Sequence, residues 1–388
     1  MELQRFSKAQ IVTVVTFAIV AGCMPALQPL LLGGLLEEGR LDASSLGYAA
    51  TAEGLGMVLG TGVAGAFLPA RRLRLLGVLA IGAVIAANLA TMVASSGAIV
   101  AARAASGLGN GILTWISVGL LIRAANPTRL YAAFITGNAS LVFLLSTVLA
   151  TYSIALFGIV SGYVILCAIY IVMLFAIPLV PREYADLEEG GASVGMPPAW
   201  GLVALAGPVL FLAGIMAFWV YSVQLGEQAG LGTDTMRRIV SAAIGVQILA
   251  GLAAMVLADR LSGKSAFIVT GTIAALALIA TQATASTPIW FVALLVFSFC
   301  WMFGPPFHIA FISAADPTRK AAIYISTAQL SGIALGPLLA SSAVSSIDYG
   351  PARAIALGCL IGALIVGVVI HLRFPSPRAS RPQADGAA

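Results

Sequence analysis

The sequence predicts an all-α polytopic membrane protein whose twelve transmembrane helices form two pseudo-symmetric six-helix bundles. Three observations carry that reading. The 388-residue chain is 60% hydrophobic and 9% charged, with a mean hydropathy of +1.03, where a soluble domain carries about 25% charged residues. It holds twelve apolar runs, each near the ~20 residues that cross a bilayer. One phrase is written twice, AANPTR at 124–129 and AADPTR at 314–319, 190 residues apart.

The apolar runs lie at 9–33, 45–69, 75–95, 97–122, 130–155, 158–180, 199–225, 238–258, 266–284, 288–312, 321–345 and 351–372. The first is too long for a signal peptide, and no clear cleavage site precedes the next, so it reads as a retained helix. Residues 1–180 form the first bundle, 181–198 a polar cytoplasmic linker, 199–372 the second bundle and 373–388 a cytoplasmic tail. With the N-terminus inside, 15 of the 20 Lys and Arg residues fall in cytoplasmic segments. Arg40, Arg237, Arg238 and Arg353 fall outside and Arg103 within a span. This bias predicts that both termini are cytoplasmic.

The repeated phrase falls in two cytoplasmic turns, after spans 4 and 10. Asn or Asp followed by Pro suits the cap and first turn of the next helix, so Pro127 and Pro317 are expected at equivalent helix starts. An offset of 189, nearly the same, brings LPARRLRLLG (68–77) beside LADRLSGKSA (257–266), which favours duplication of a six-helix unit over two chance turns. Cys23, Cys167, Cys300 and Cys359 have no CxxC spacing and read as packing residues. A net charge of +5 implies no nucleic-acid partner.

Twelve spans, two halves and a central linker resemble the major facilitator superfamily of secondary transporters over essentially the whole chain. LADRLSGK resembles its loop signature, and RAASGLGNG in span 4 its Arg-x-x-x-Gly-x-Gly pattern. Ala70 stands where the first-half signature has Asp, and one extra residue lies between Arg260 and Gly263. Span 5 lacks the Gly-Pro motif of drug/proton antiporters; a Gly-x-x-x-Gly-Pro occurs instead at Gly332–Pro337 in span 11. The resemblance implies a site between the halves lined by spans 1, 4, 7 and 10. It also implies a cytoplasmic gate at Asp259, with Arg260 beside it, Asp259 facing a helix N-terminus of the other half near Thr128.

Ionisable residues inside a span are costly and by default functional. Glu53 lies about 8 residues below the outer end of span 2 and Arg103 about 6 below that of span 4. These are depths of roughly 12 and 9 Å at 1.5 Å per residue, so the two can meet. Glu53, Gly56 and Gly60 share one helix face, as do Arg103, Gly107 and Gly111, and such glycines let membrane helices approach closely. Shifted by one repeat, Glu53 falls on Ala242 or Ala243 and Arg103 on Val292 or Ala293. The charges therefore exist in one half only. They suit a helix-locking ion pair, a direct solute contact or proton coupling. In the last case, movement of the guanidinium would load and release a proton on the carboxylate.

Further candidates for solute binding are Gln28, Asn110, Trp115 and Asn138 in the first half and Tyr221, Gln224, Trp301 and Gln329 in the second. Gln28, Trp115, Gln224 and Trp301 lie on the four implied lining spans. Interhelical hydrogen bonds and plain packing are the alternative role of each. FGPPFH (303–308) is expected to kink span 10, because two prolines remove backbone donors. His308 is expected at the membrane interface.

No HExxH, GxSxG, P-loop or dinucleotide fingerprint is present, so neither an enzyme nor a cofactor or metal is expected. The expected function is a secondary active transporter of a small organic solute, proton-coupled and working by alternating access, monomeric, in the cell inner membrane. The alternatives are a drug or metabolite efflux antiporter of the same fold, an integral-membrane enzyme on lipid-linked substrates, and a transport-dead receptor.

Overall fold

The computed structural model describes residues 6–121, 123, 127–184, 197–257, 260–282, 286–318 and 320–375. Helices α1 (Lys8–Ala21) and α2 (Met24–Glu37) make the first span, bent by 42° between them. Pro25 explains the bend: it offers no N–H to Ala21, and its ring crowds that carbonyl. Then come α3 (Ala43–Phe67), α4 (Leu73–Val93), α5 (Ser96–Leu121), α6 (Pro127–Val148), a π-helical turn (Leu149–Ser153), α7 (Ile154–Phe157) and α8 (Ile159–Ala176). The second half runs α9 (Ala199–Trp219), α10 (Ser222–Gln228), α11 (Thr233–Leu257), α12 (Gly263–Ala280), α13 (Thr287–Phe303), α14 (Pro305–Ala315), α15 (Ile325–Ser341) and α16 (Gly350–Arg373). The kink expected at FGPPFH is a 51° break between α13 and α14 at Gly304.

No strand occurs among the described residues. Among the described residues, eight helices are long and apolar enough to cross a membrane, ten if each bent pair is one span. Of the twelve expected spans, α3 and α15 fall outside that number. The first is rich in Gly, Ser and Thr, and the second has 17 residues.

Caps from distant segments tie the helix ends together. The Glu38 carboxylate accepts from Ile159 N at 2.9 Å, capping α8, whose preceding Gly158 holds φ +74°. The Arg40 guanidinium caps the last turn of α4, donating to Ala94 O at 2.7 Å and to Thr91 O. The Lys264 ammonium donates to the Phe374 carbonyl just past α16.

The packing repeats with the sequence. In the first half α3 packs on α5, α1 on α6, α4 on α5 and α4 on α8; in the second α11 packs on α13, α9 on α15, α12 on α13 and α12 on α16. Each first-half pair thus has a counterpart one repeat later. Across the halves α3 meets α15 and α11 meets α6, two contacts that the same operation exchanges. The repeated phrase is less symmetric than expected. The first copy starts α6 at Pro127, but Pro317 stays in a turn and the chain re-enters helix only at Ala321. Asp316 is the reason: its carboxylate accepts from Thr318 N at 2.9 Å and Ala321 N at 2.7 Å, which holds a wider turn.

The halves meet more closely at one end than at the other. Opposite the chain termini, Arg237 of α11 pairs with Glu37 of α2, and Tyr221 OH donates to Ala43 O at 2.9 Å. Deeper along α3, a Cβ on Gly54 would stand 3.2 Å from that of Ala334. Three turns further on the same face, a Cβ on Gly65 would meet only Trp115 of α5, at 3.7 Å, and no atom of α15. The helices α3 and α15 diverge toward the end that carries the termini.

Candidate proton-coupling and solute site

The carboxylate and guanidinium expected to meet do so. Arg103 Nη1 lies 3.5 Å from Glu53 Oε1, and both residues are 0% exposed. The glycine faces make this possible. A Cβ on Gly60 would stand 3.1 Å from Gly111 Cα, and one on Gly107 would overlap the Glu53 carbonyl. Thr61 Oγ1 donates across the same seam to Gly111 O at 3.1 Å. With no side chains between them, the α3 and α5 backbones touch, and the ion pair sits at the end of that contact away from the chain termini.

Four further residues that the sequence did not single out complete the cluster. Ser106 Oγ donates to Glu53 Oε1 at 3.0 Å. Arg103 Nη2 donates to Asn88 Oδ1 at 2.8 Å and Thr91 Oγ1 at 2.9 Å, both on α4. The guanidinium carbon lies 5.2 Å from the Tyr163 ring centroid on α8. The Gln28 amide approaches the Glu53 carboxylate from α2. Glu53 Oε2, Gln28 Oε1 and Tyr163 OH are buried without a protein partner. Arg103 therefore has anchors that do not depend on Glu53, whereas one Glu53 oxygen has no hydrogen-bond partner among the described residues.

A second group lies where the halves meet. Trp219 Nε1 donates to Ala26 O at 3.2 Å, and its ring pairs with that of Trp301 at 5.3 Å. Gln224 Nε2 lies 2.9 Å from where a Cβ on Gly33 would stand, and both of its amide atoms are buried and unpartnered. Tyr221, Gln224 and Trp301 thus border the contact between α2, α3 and the second half, whereas Gln28 turns to Glu53 inside the first half.

The other candidates lie elsewhere. Asn110 accepts from Tyr170 OH at 2.6 Å, inside the first bundle. Asn138 donates to Ile19 O at 2.7 Å, beside the break in span 1. Trp115 is partly buried and packs against the cluster of Val14, Leu113 and Ile116. Gln329 Nε2 lies 3.3 Å from His308 Nδ1. His308 is not interfacial as expected: it is 0% exposed, edge-on to Phe211 and Phe267 at 5.4 Å each. The α13–α14 break turns its side chain inward between α9 and α12. Asp259 lies outside the described residues, and Arg260 is exposed in the turn after α11.

No family model and no curated protein matches the chain. Solved structures do. The nucleoside transporter NupG superposes with a TM-score of 0.71 at 11% identity, over 95% of this chain and 100% of that one. A D-xylose–proton symporter gives 0.68 at 13%, over 93% and 96%. The xylose transporter XylE from E. coli, in a partially occluded inward-open conformation, gives 0.67 at 12%, over 95% and 100%. With twelve expected spans, the packing pairs repeated between halves and these superpositions over nearly the full length, the chain has the fold of the major facilitator superfamily.

Proposed function

We propose that the protein is a secondary active transporter that moves a small organic solute by alternating access, coupled to protons through Glu53. The observation that carries this is the buried Glu53–Arg103 pair. Glu53 keeps one oxygen free, and Arg103 holds Asn88 and Thr91 as well. A change in the approach of α3 to α5 would alter the 3.5 Å separation and with it the proton affinity of the carboxylate. The fold supports the reading, since the similar structures include a D-xylose–proton symporter and a nucleoside transporter.

The solute site lies between the halves, near Gln28, Tyr221, Gln224 and Trp301, with Asn110, Trp115, Asn138 and Gln329 further out. Asp259 and Arg260 gate the end that carries the termini. The chain works as a monomer in the inner membrane, both termini cytoplasmic, in line with 15 of its 20 basic residues lying on that side. The divergence of α3 and α15 then corresponds to a state open to the cytoplasm.

The test is uptake into proteoliposomes under an imposed pH gradient, across a panel of neutral and singly charged solutes. We expect accumulation that collapses when the gradient is dissipated, and counterflow that does not. A solute that exchanges but never accumulates under any proton gradient would remove proton coupling from the proposal. Chemical conversion of the solute would remove transport itself.

A further inference from the structure

A groove of about 500 Å³ runs along the outside of the seam between α6 and α11, within the range of small-molecule sites, roughly 300–1,000 Å³. Its lining changes character with depth. At one end stand Arg238, Thr151, Thr147 and Ser241; at the other Phe143, Val246, Leu249 and Leu295. Arg238 is exposed and enters none of the three ion pairs found among the described residues, while its neighbour Arg237 takes part in two. From Arg238 to Leu249 the groove rises along α11 by eleven residue steps. At 1.5 Å per residue that is about 16 Å, half of a ~30 Å hydrocarbon core. One cation and hydroxyls at headgroup depth above an apolar channel one leaflet deep match an anionic amphiphile, head outward and tail inward.

We infer that this groove binds a membrane phospholipid. Its phosphate sits at Arg238 and Thr151, and an acyl chain lies against Phe143, Val246 and Leu249. The site straddles both halves. Its floor is Ser241 Oγ, within hydrogen-bond distance of Ser146 Oγ at 3.1 Å and of Thr147 Oγ1 at 3.0 Å. Beside it, the α6 ladder is interrupted by the π-helical turn Leu149–Ser153, which places Thr151 at the groove's mouth; such turns are frequent at functional sites. A lipid here touches α6 and α11 together and stabilises whichever state keeps this seam closed.

Native mass spectrometry of the delipidated full chain tests the inference, with phosphatidylglycerol, diacylglycerol and inorganic phosphate as probes. We expect one tightly held phosphatidylglycerol, weaker diacylglycerol and no inorganic phosphate. Arg238→Gln should weaken phosphatidylglycerol about tenfold and leave diacylglycerol unchanged, while Arg238→Lys keeps most of the binding. Val246→Trp, which fills the channel, should remove both lipids. If either variant is unstable, Thr151→Val provides the polar arm and Leu249→Phe the apolar one. Equal phosphatidylglycerol retention by wild type and Arg238→Gln overturns the proposal. So does binding of inorganic phosphate that displaces the lipid, which marks a free anion site.

Discussion

Arg103 lies closer to Asn88 than to the carboxylate it was expected to serve: 2.8 Å to Asn88 Oδ1 against 3.5 Å to Glu53 Oε1. Neutral acceptors on α4 and the Tyr163 ring hold the guanidinium, so losing the Glu53 charge does not set it free. Losing Arg103 is different, because Glu53 then keeps only Ser106 and Gln28.

The two single substitutions are therefore unequal. Glu53→Gln should fold near normally, lose gradient-driven accumulation and keep solute exchange, in which the proton need not cycle. Arg103→Ala should cost about 3–5 kcal/mol, the usual cost of stranding one member of a buried pair, and reduce expression. The double substitution Glu53→Gln with Arg103→Gln should recover stability but not accumulation. Thermal melts in detergent, with paired accumulation and counterflow assays, separate the outcomes. Normal proton-driven uptake by Glu53→Gln would assign the pair to helix locking alone.

At the end opposite the termini, Arg237 bridges the halves to Glu37 and also contacts Asp234 at 3.3 Å. The Glu37 side chain is 31% exposed, so screening limits the pair to about 1 kcal/mol. Arg237→Ala should shift the population open at this end by roughly fivefold. Exchanging the charges, with Glu37→Arg and Arg237→Glu, should restore much of the closure. Electron–electron distances between spin labels on α2 and α11 report both. An unchanged distance distribution in Arg237→Ala would show that the serine and threonine contacts of α6 and α11 hold the end closed without the ion pair.

What the sequence revealed depended on residue type and period. A charge in an apolar run, glycines four residues apart and a double proline are local marks, and they led to Glu53, Arg103, the α3–α5 seam and the break at Gly304. The partners Asn88, Thr91 and Tyr163 were not legible, because a polar residue in an apolar helix does not disclose which neighbour it faces. Nor was the wider turn after Asp316, since Asp-Pro and Asn-Pro read alike until the carboxylate's second oxygen finds Ala321 N. The bend in span 1 had a signal in Pro25, hidden by an unbroken apolar run.

The α3–α5 seam gives a matched pair of glycine substitutions. Gly107→Ala puts a methyl group onto the Glu53 backbone carbonyl, which no side-chain movement relieves. Overpacking of this kind costs about 1–3 kcal/mol and pushes α3 away from α5, so it should impair both melting temperature and coupling. Gly62→Ala lies on α3, off the seam, with nothing within 4 Å and should leave both unchanged. Equal behaviour of the two would mean that the seam does not set the Glu53–Arg103 distance.

Asp316 gives the fold a pH dependence outside the membrane. Burial opposes its charge, but donors from Ala321 N and Thr318, with Lys320 nearby, outweigh it and hold the carboxyl below its ordinary range. The sign follows. A carboxylate that titrates lower in the folded state than in the unfolded one contributes stability above the unfolded value, about 3.9 for Asp, and that contribution is lost as pH falls through the folded one. Melting temperature should therefore be flat in this respect from neutral pH to about 5 and decline below ~4. Asp316→Ala removes the cap and should cost about 1 kcal/mol at neutral pH. The variant should also lose part of the acid-dependent decline. Asp316→Asn keeps one acceptor and should fall between the two. A wild type and an Asp316→Ala variant with parallel melting curves from pH 7 to 3 would show that the turn is held by the packing of Gly201 against Asp316 and Ala321, not by the carboxylate's charge.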